Sequence, residues 1–200
     1  MYKRFLLCAL LLWLPATSVA DEQLAGECEI RFYGDSTLHQ FEGTGACEPF
    51  VLTEKISLNN PLQIYVNVAG LDTDNSSRDK KMREMFEAEK FPTIIGEFKG
   101  LDASETLASW QNKAAGELEF DLTIRDVSHT VRAGVSGLDI SEESIRFMLT
   151  FELSLENYGL EAPGVLGIIR VDDEVRVEVE VLISGPIARA FPQTEVQVSQ

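Results

Sequence analysis

Apolar and polar residues alternate along most of the chain, the pattern of antiparallel strands with one face in a core. The longest alternating run spans residues 144–155 and places six apolar residues on one face: Ile145, Phe147, Leu149, Phe151, Leu153 and Leu155. Similar runs occupy residues 27–33, 39–47, 62–68, 93–101, 113–124, 130–137 and 175–183. Such strands bury their apolar faces by packing two sheets or by closing one, and a count of about eight favours a single barrel.

One segment, residues 71–92, departs from this alternation and predicts a short helix over about 77–90. Four consecutive residues suit its N-cap: Asp74, Asn75, Ser76 and Ser77. Ser76 and Asp79 also have the spacing of a capping box, and Pro92 follows the end. Asn75-Ser76-Ser77 matches a glycosylation acceptor, but we interpret these residues as helix caps.

The predicted helix has one apolar face, formed by Met82, Met85 and Phe86. This face predicts that the helix covers an apolar interior, either as part of a packed core or as an adaptable gate over a cavity. We interpret it as the only helix after residue 20, and residues 102–109 as loop-like.

Residues 1–20 have the composition of a secretory signal peptide, with Lys3 and Arg4 before an apolar run and a small-residue cleavage site ending at Ala20. We therefore expect an exported protein with one domain over residues 21–200, a core over 27–184 and a peripheral C-terminal tail.

Acidic residues dominate the surface chemistry. Without Lys3 and Arg4, the 17 basic residues become 15 against 33 acidic ones, a formal charge of −18. Such a charge argues against binding nucleic acid or docking on anionic lipid through basic patches. No stable membrane insertion is expected, because no later apolar run approaches membrane-spanning length.

Two cysteines remain after residue 20, Cys28 and Cys47. A hairpin turning near residues 36–38 would place Cys28 opposite Cys47 and Phe32 opposite Gly43. In an exported protein this register predicts a disulfide, with two buried thiols as the alternative. A metal site has little support, because His39 and His129 are far apart and lack neighbouring ligands.

Catalytic patterns are weak. Several carboxylates lie at positions predicted to face outward, where a solvated charged surface is the expected reading: Glu117, Glu119, Asp121, Glu178 and Glu180. His129 falls in a predicted turn over residues 126–129, without an acid spaced to complete a triad. We therefore expect no enzyme activity and no cofactor.

The order of several short motifs resembles the YceI-like family. The motifs are Val68-Ala69-Gly70-Leu71-Asp72-Thr73-Asp74-Asn75, Arg78-Asp79, Met82-Arg83, Glu89-Lys90-Phe91-Pro92, Gly116-Glu117-Leu118, Leu122-Thr123-Ile124-Arg125-Asp126-Val127, Tyr158-Gly159-Leu160 and Asp173-Glu174-Val175. The resemblance spans about residues 27–184. Lys81 stands where many members carry histidine, and the first hairpin with its cysteines is less typical.

This resemblance implies a lipocalin-like barrel in the periplasm that sequesters a long apolar lipid, such as a polyisoprenoid or a quinone. Its lumen and mouth would be formed by residues from several strands and the helix: Ile64, Val66, Met82, Met85, Phe86, Phe120, Leu122, Phe147, Leu149, Phe151, Val177 and Val179. Burial of the apolar chain would supply the affinity.

Two other functions remain open at this point. A ligand-free barrel could bind a protein partner, or serve as a stress-related module, through its acidic outer face, and large side chains would then fill its lumen. A hydrolase would need two surface acids brought together in a concave site. The sequence also leaves a homodimer open.

Overall fold

The computed structural model describes residues 24–36, 40–53, 55–113, 116–161 and 171–191, and strands dominate them. The strands are β1 (Leu24–Ser36), β2 (Phe41–Ala46), β3 (Phe50–Leu52), β4 (Lys55–Ile56), β5 (Leu62–Asn67), β6 (Thr93–Phe98), β7 (Leu101–Asp102), β8 (Gly116–Ile124), β9 (Val127–Ile140), β10 (Ser144–Ser154) and β11 (Val171–Ser184). The helices are α1 (Ser76–Met85), α2 (Ala103–Lys113) and α3 (Ile187–Ala190), and short 3-10 turns cover Val68–Gly70 and Glu156–Tyr158.

Eight strands form one antiparallel sheet in the order β2-β1-β11-β10-β9-β8-β6-β5, with β3 added beside β1. The two ends of this order meet. Cys47 bridges Val66, and Thr44 exchanges backbone hydrogen bonds of 2.7 and 2.9 Å with Asp72. These bridges close the sheet into the single barrel predicted from about eight alternating strands, and the barrel is lipocalin-like, as the family resemblance implied.

The alternation of β10 and β11 determines which side chains face the interior. Phe147 pairs with Val181, Leu149 with Val179, and Phe151 with Val177, so the paired apolar residues lie on the same face. The intervening acids point outward, as predicted. The barrel wall is therefore built by strands with one apolar and one charged face.

The first hairpin confirms the predicted register and disulfide. Phe32 pairs with Gly43, and Cys28 is bonded to Cys47 with their Cα atoms 5.4 Å apart. The Phe32 ring covers Gly43 so closely that a Cβ there would overlap it. Gly43 is thus needed for close approach in this hairpin.

Helix α1 begins at one of the predicted caps but not through the predicted capping box. The side chain of Asn75 accepts hydrogen bonds from the backbone N–H groups of Ser77 and Arg78, each at 3.1 Å. Asp79 instead accepts from the backbone N–H of Thr73 at 3.0 Å. The Ser76–Asp79 capping box is therefore wrong, because the Asp79 carboxylate is used by the preceding loop.

The helix also ends earlier than residue 90. Glu87 adopts a left-handed φ of 50°, and the N–H of Ala88 reaches the carbonyl oxygen of Arg83 at 3.0 Å. This is a helix-terminating hydrogen bond. Residues 86–90 form turns, and β6 follows Pro92.

A second full helix corrects the interpretation of residues 102–109 as a loop and of α1 as the only helix. The Asp102 carboxylate accepts from the backbone N–H of Glu105 at 3.1 Å, and α2 buries Ala103, Leu107 and Trp110 along one face. The spacing of four and three residues is helical, and burial of Trp110 stabilises an otherwise polar segment. Strand β8 accordingly begins at Gly116.

His129 lies in β9 rather than in a turn, which corrects the predicted reversal over residues 126–129. The reversal is at Arg125 and Asp126, where Arg125 adopts a φ of 57°. The His129 Nε2 lies 2.9 Å from the carbonyl oxygen of Asn157, and its ring packs edge-on against Tyr158.

The core extends beyond the predicted 27–184 at both ends. Leu24 is 1% exposed, and Ile187 and Phe191 are 0% and 1% exposed. The expectation that the C-terminal tail buries little is therefore wrong for residues 187–191, because α3 folds back onto the barrel. Residues 1–20, which the sequence predicts to be a signal peptide, lie outside the described residues, as do His39 and residues 192–200.

None of the helices within the described ranges combines the length and hydropathy that crossing a membrane requires.

Candidate ligand-binding cavity

A cavity of about 280 Å³ lies inside the barrel. All twelve residues predicted for the lumen and mouth line it, and they come from six elements: α1, β5, β8, β10 and β11 together with the turn after α1. Nine of these residues lie on strands, at the alternating positions that face the interior.

The lining of the cavity is almost entirely apolar. Among the described lining residues, only four side chains carry nitrogen or oxygen: Thr73, Arg78, Thr106 and Trp110. A surface of this kind offers neither a nucleophile–base pair nor a set of metal ligands. It can bind apolar groups by removing them from water.

Aromatic rings form the middle of the lumen. Phe120 stacks on Phe98 with ring centroids 5.0 Å apart and meets Phe151 edge-on at 5.6 Å. These geometries are favourable for aromatic pairs. Strands β6, β8 and β10 are therefore linked across the interior by side-chain contacts as well as by their places in the sheet.

Helix α1 covers the end of the barrel at which β8 and β10 finish, which we call the α1 end. Met82 and Phe86 are buried there, and Met85 is partly buried. The exit of α1 is attached to the wall by Arg125, whose guanidinium lies 2.6 Å from the Glu87 carboxylate. Unbranched methionines at this position make the cover adaptable in shape.

Arg78, in the first turn of α1, is a lining residue that the sequence interpretation missed. Its Nη2 donates to the Thr73 carbonyl oxygen at 2.7 Å, and the guanidinium lies 4.9 Å from the centre of the Phe41 ring. The signal that could have found it is its spacing, because Arg78 precedes Met82 by four residues and so shares its face.

Helix α2 covers the opposite end, where β8 begins, which we call the α2 end. Trp110 packs against Phe147 with ring centroids 5.3 Å apart, and Leu107 lies beside it in the lining. The sequence interpretation missed these residues because it assigned the segment to a loop. It also omitted wall residues of the first hairpin, including Ile30 and Phe32.

The outer face carries paired charges. Lys99 contacts Glu97 and lies 3.1 Å from Asp121. The hydrogen bond from Lys99 lowers the pKa of Glu97, and bonds from Thr130 and then Lys99 lower the pKa of Asp121. The hydrogen bonds of Lys99 to Glu97 and then to Asp121 raise the pKa of Lys99. These residues act as a solvated ion network, consistent with the interpretation of the outward carboxylates as surface.

No group of three or more metal-ligating side chains occurs within the part of the chain that the structure describes.

Comparison with known families gives a match to the YceI-like domain over residues 29–183. The match covers both helices that close the barrel and the strands between them. The comparison with curated proteins found no match.

Two solved structures share the fold. BcnA from Burkholderia cenocepacia is 12% identical, with a TM-score of 0.58 over 78% of this chain and 95% of that one. A polyisoprenoid binding domain from Saccharophagus degradans, implicated in plant cell wall breakdown, is 14% identical, with a TM-score of 0.59 over 81% of this chain and 98% of that one.

Proposed function

Because the chain belongs to the YceI-like family, we propose that it binds a long apolar lipid, a polyisoprenoid or a quinone, in the lumen of its barrel. The role is sequestration without catalysis. The observation that carries the proposal is the cavity itself, whose described lining is apolar except at four side chains that carry nitrogen or oxygen. The polyisoprenoid binding of the Saccharophagus degradans domain is in line with it.

The affinity would come from the apolar surface area that the lipid buries in the lumen. Burial of apolar surface contributes about 25 cal/mol per Å², from which roughly 4–15 kcal/mol is subtracted for lost translational and rotational freedom. A lipid with several prenyl units buries enough surface to exceed that cost. Val177, Val179 and Leu149 supply such contacts on adjacent strands without hydrogen bonds of their own.

The size of the cavity constrains the ligand. Its volume of about 280 Å³ is near the lower limit of ordinary ligand pockets, roughly 300–1,000 Å³. A long prenyl chain would therefore need the cover to shift. Met82, Met85 and Phe86 of the α1 end are suited to this, because methionine repacks at low cost.

We propose the periplasm as the location. The signal-like composition of residues 1–20 and the Cys28–Cys47 disulfide support an oxidising, exported environment. The alternative of a ligand-free barrel that binds a protein partner expects large side chains to fill the lumen. A cavity in the lumen does not support that alternative.

Mass spectrometry of the mature protein from its own source tests the proposal. The native complex should carry a stoichiometric mass that organic extraction releases as a prenyl lipid. Val179→Phe, which places a ring in the lumen, should abolish it, and Thr150→Phe, on the outer face of the neighbouring strand, should retain it. A protein at its bare polypeptide mass that also takes up no prenyl quinone would refute lipid binding.

A further inference from the structure

Arg78 is the only formally charged residue among the described residues that line the lumen. It sits at the α1 end, and its aliphatic stem leads from the helix toward Phe41. A cation beside an apolar cavity is costly unless its donors are satisfied, so its hydrogen bonds decide what it can do.

These hydrogen bonds are incomplete. A guanidinium has five N–H donors, and Arg78 donates one bond, to the carbonyl oxygen of Thr73 at 2.7 Å. Its Nε is buried without an acceptor. A buried donor without a partner marks a place where an acceptor from outside the chain would bind favourably.

Nearby acids do not neutralise it. Asp79, the next residue, is turned toward the N–H and hydroxyl of Thr73. Within the described residues Arg78 forms no ion pair, whereas Arg125 at the same end is paired with Glu87. Arg78 is thus a cation that faces the lumen, fixed by its hydrogen bond to Thr73 but without an acidic partner among the described residues.

We propose that Arg78 binds the oxygen-bearing end of the lipid, so that the head group lies at the α1 end and the tail points toward Trp110 and Phe147. This inference rests on the proposed function. The head group is an uncharged acceptor, such as a quinone carbonyl. Asp72, Asp74 and Asp79 surround this segment and disfavour a multiply charged phosphate ester.

Two probes with the same short prenyl tail test the assignment, one bearing a benzoquinone and the other a plain hydrocarbon. Their binding is measured by displacement of a fluorescent apolar dye. Arg78→Met keeps the length of the side chain and should weaken quinone binding roughly 10- to 100-fold, while hydrocarbon binding changes less than about twofold. Arg78→Lys should restore part of the loss.

Lys80→Met is the matched control, since Lys80 is an exposed cation on the same helix that does not line the cavity, and it should leave both affinities unchanged. If Arg78→Met weakens the binding of both probes equally, or of neither, then Arg78 only holds the Thr73 backbone. Either result would overturn this inference but leave lipid binding intact. Tighter, salt-sensitive binding of a prenyl phosphate would overturn the uncharged head group. Failure of the unmodified protein to bind any probe would instead refute the proposed function.

Discussion

The two ends of the barrel are closed in different ways. At the α2 end the closure is packing: Trp110 lies against Phe147, and Gly116 is so close to the indole that a Cβ there would overlap it. Ala103 and Leu107 complete an apolar plug.

The α1 end is closed by polar contacts and an adaptable apolar face. Asp79 holds the Thr73 backbone, and Arg125 holds Glu87. Within the described residues, all three buried side-chain atoms that lack a hydrogen-bond partner lie at this end: Arg78 Nε, Arg125 Nε and Tyr158 Oη.

The contrast indicates which end opens. Interdigitated aromatic packing loses much free energy if it separates, whereas hydrogen bonds to a loop contribute roughly 0.5–1.5 kcal/mol each and can be exchanged with water. The α1 end is therefore the expected entrance, and the α2 end the fixed floor.

The largest effect is expected from removing the floor. Trp110→Ala should lower the free energy of unfolding by roughly 3–5 kcal/mol, because it deletes a buried indole. Urea denaturation followed by circular dichroism measures it. Trp110→Phe, the control, should retain most of the stability. A loss below about 1 kcal/mol for the alanine variant would contradict a packed floor.

An intermediate effect is expected from loosening the α1 end. Asp79→Ala removes a carboxylate, only 9% exposed, that holds both the N–H and the hydroxyl of Thr73. The free energy of unfolding should fall by roughly 1–3 kcal/mol. Hydrogen exchange should rise in residues 71–80 and stay unchanged in α2.

Glu84→Ala provides the control for Asp79→Ala. Glu84 is exposed on the same helix and forms only an i,i+4 contact with Lys80 at 3.8 Å, so its loss should cost a few tenths of a kcal/mol. Equal costs for the two variants would show that the Thr73 contacts do not secure this end.

The barrel wall was predictable from sequence, because apolar residues recur at every second position in a strand that is buried on one face. The valines of β11 and the apolar series of β10 needed no knowledge of their partners. The Cys28–Cys47 pairing followed from the same counting, since a hairpin fixes which residues are opposite.

The ends were less predictable because their structure depends on tertiary contacts. Helix α2 is mostly polar and buries only Ala103, Leu107 and Trp110 among its described residues, so its stability comes from the lumen that it covers. A stricter count of helical spacing, with Asp102 as N-cap, could have found it. Arg78 was overlooked because only the apolar residues Met82, Met85 and Phe86 were assigned to the inner face of the helix, although the spacing of Arg78 to Met82 places it on that face.

The smallest effect concerns Tyr158, a buried phenol at the α1 end whose hydroxyl lacks a partner. Burial raises its pKa from an ordinary value of 10.0 to about 12. Between these values the unfolded chain loses the proton before the folded one, so the stabilising contribution present below pH 10 is lost as the pH rises toward 12.

Tyr158→Phe should change stability near neutral pH by less than about 1 kcal/mol, since an unpaired hydroxyl is removed, and it should flatten this alkaline decline. Ultraviolet titration of tyrosinate in the two proteins measures the difference. If the phenol titrates at its ordinary pKa, then the α1 end admits water to Tyr158 and is looser than the contrast between the two ends requires.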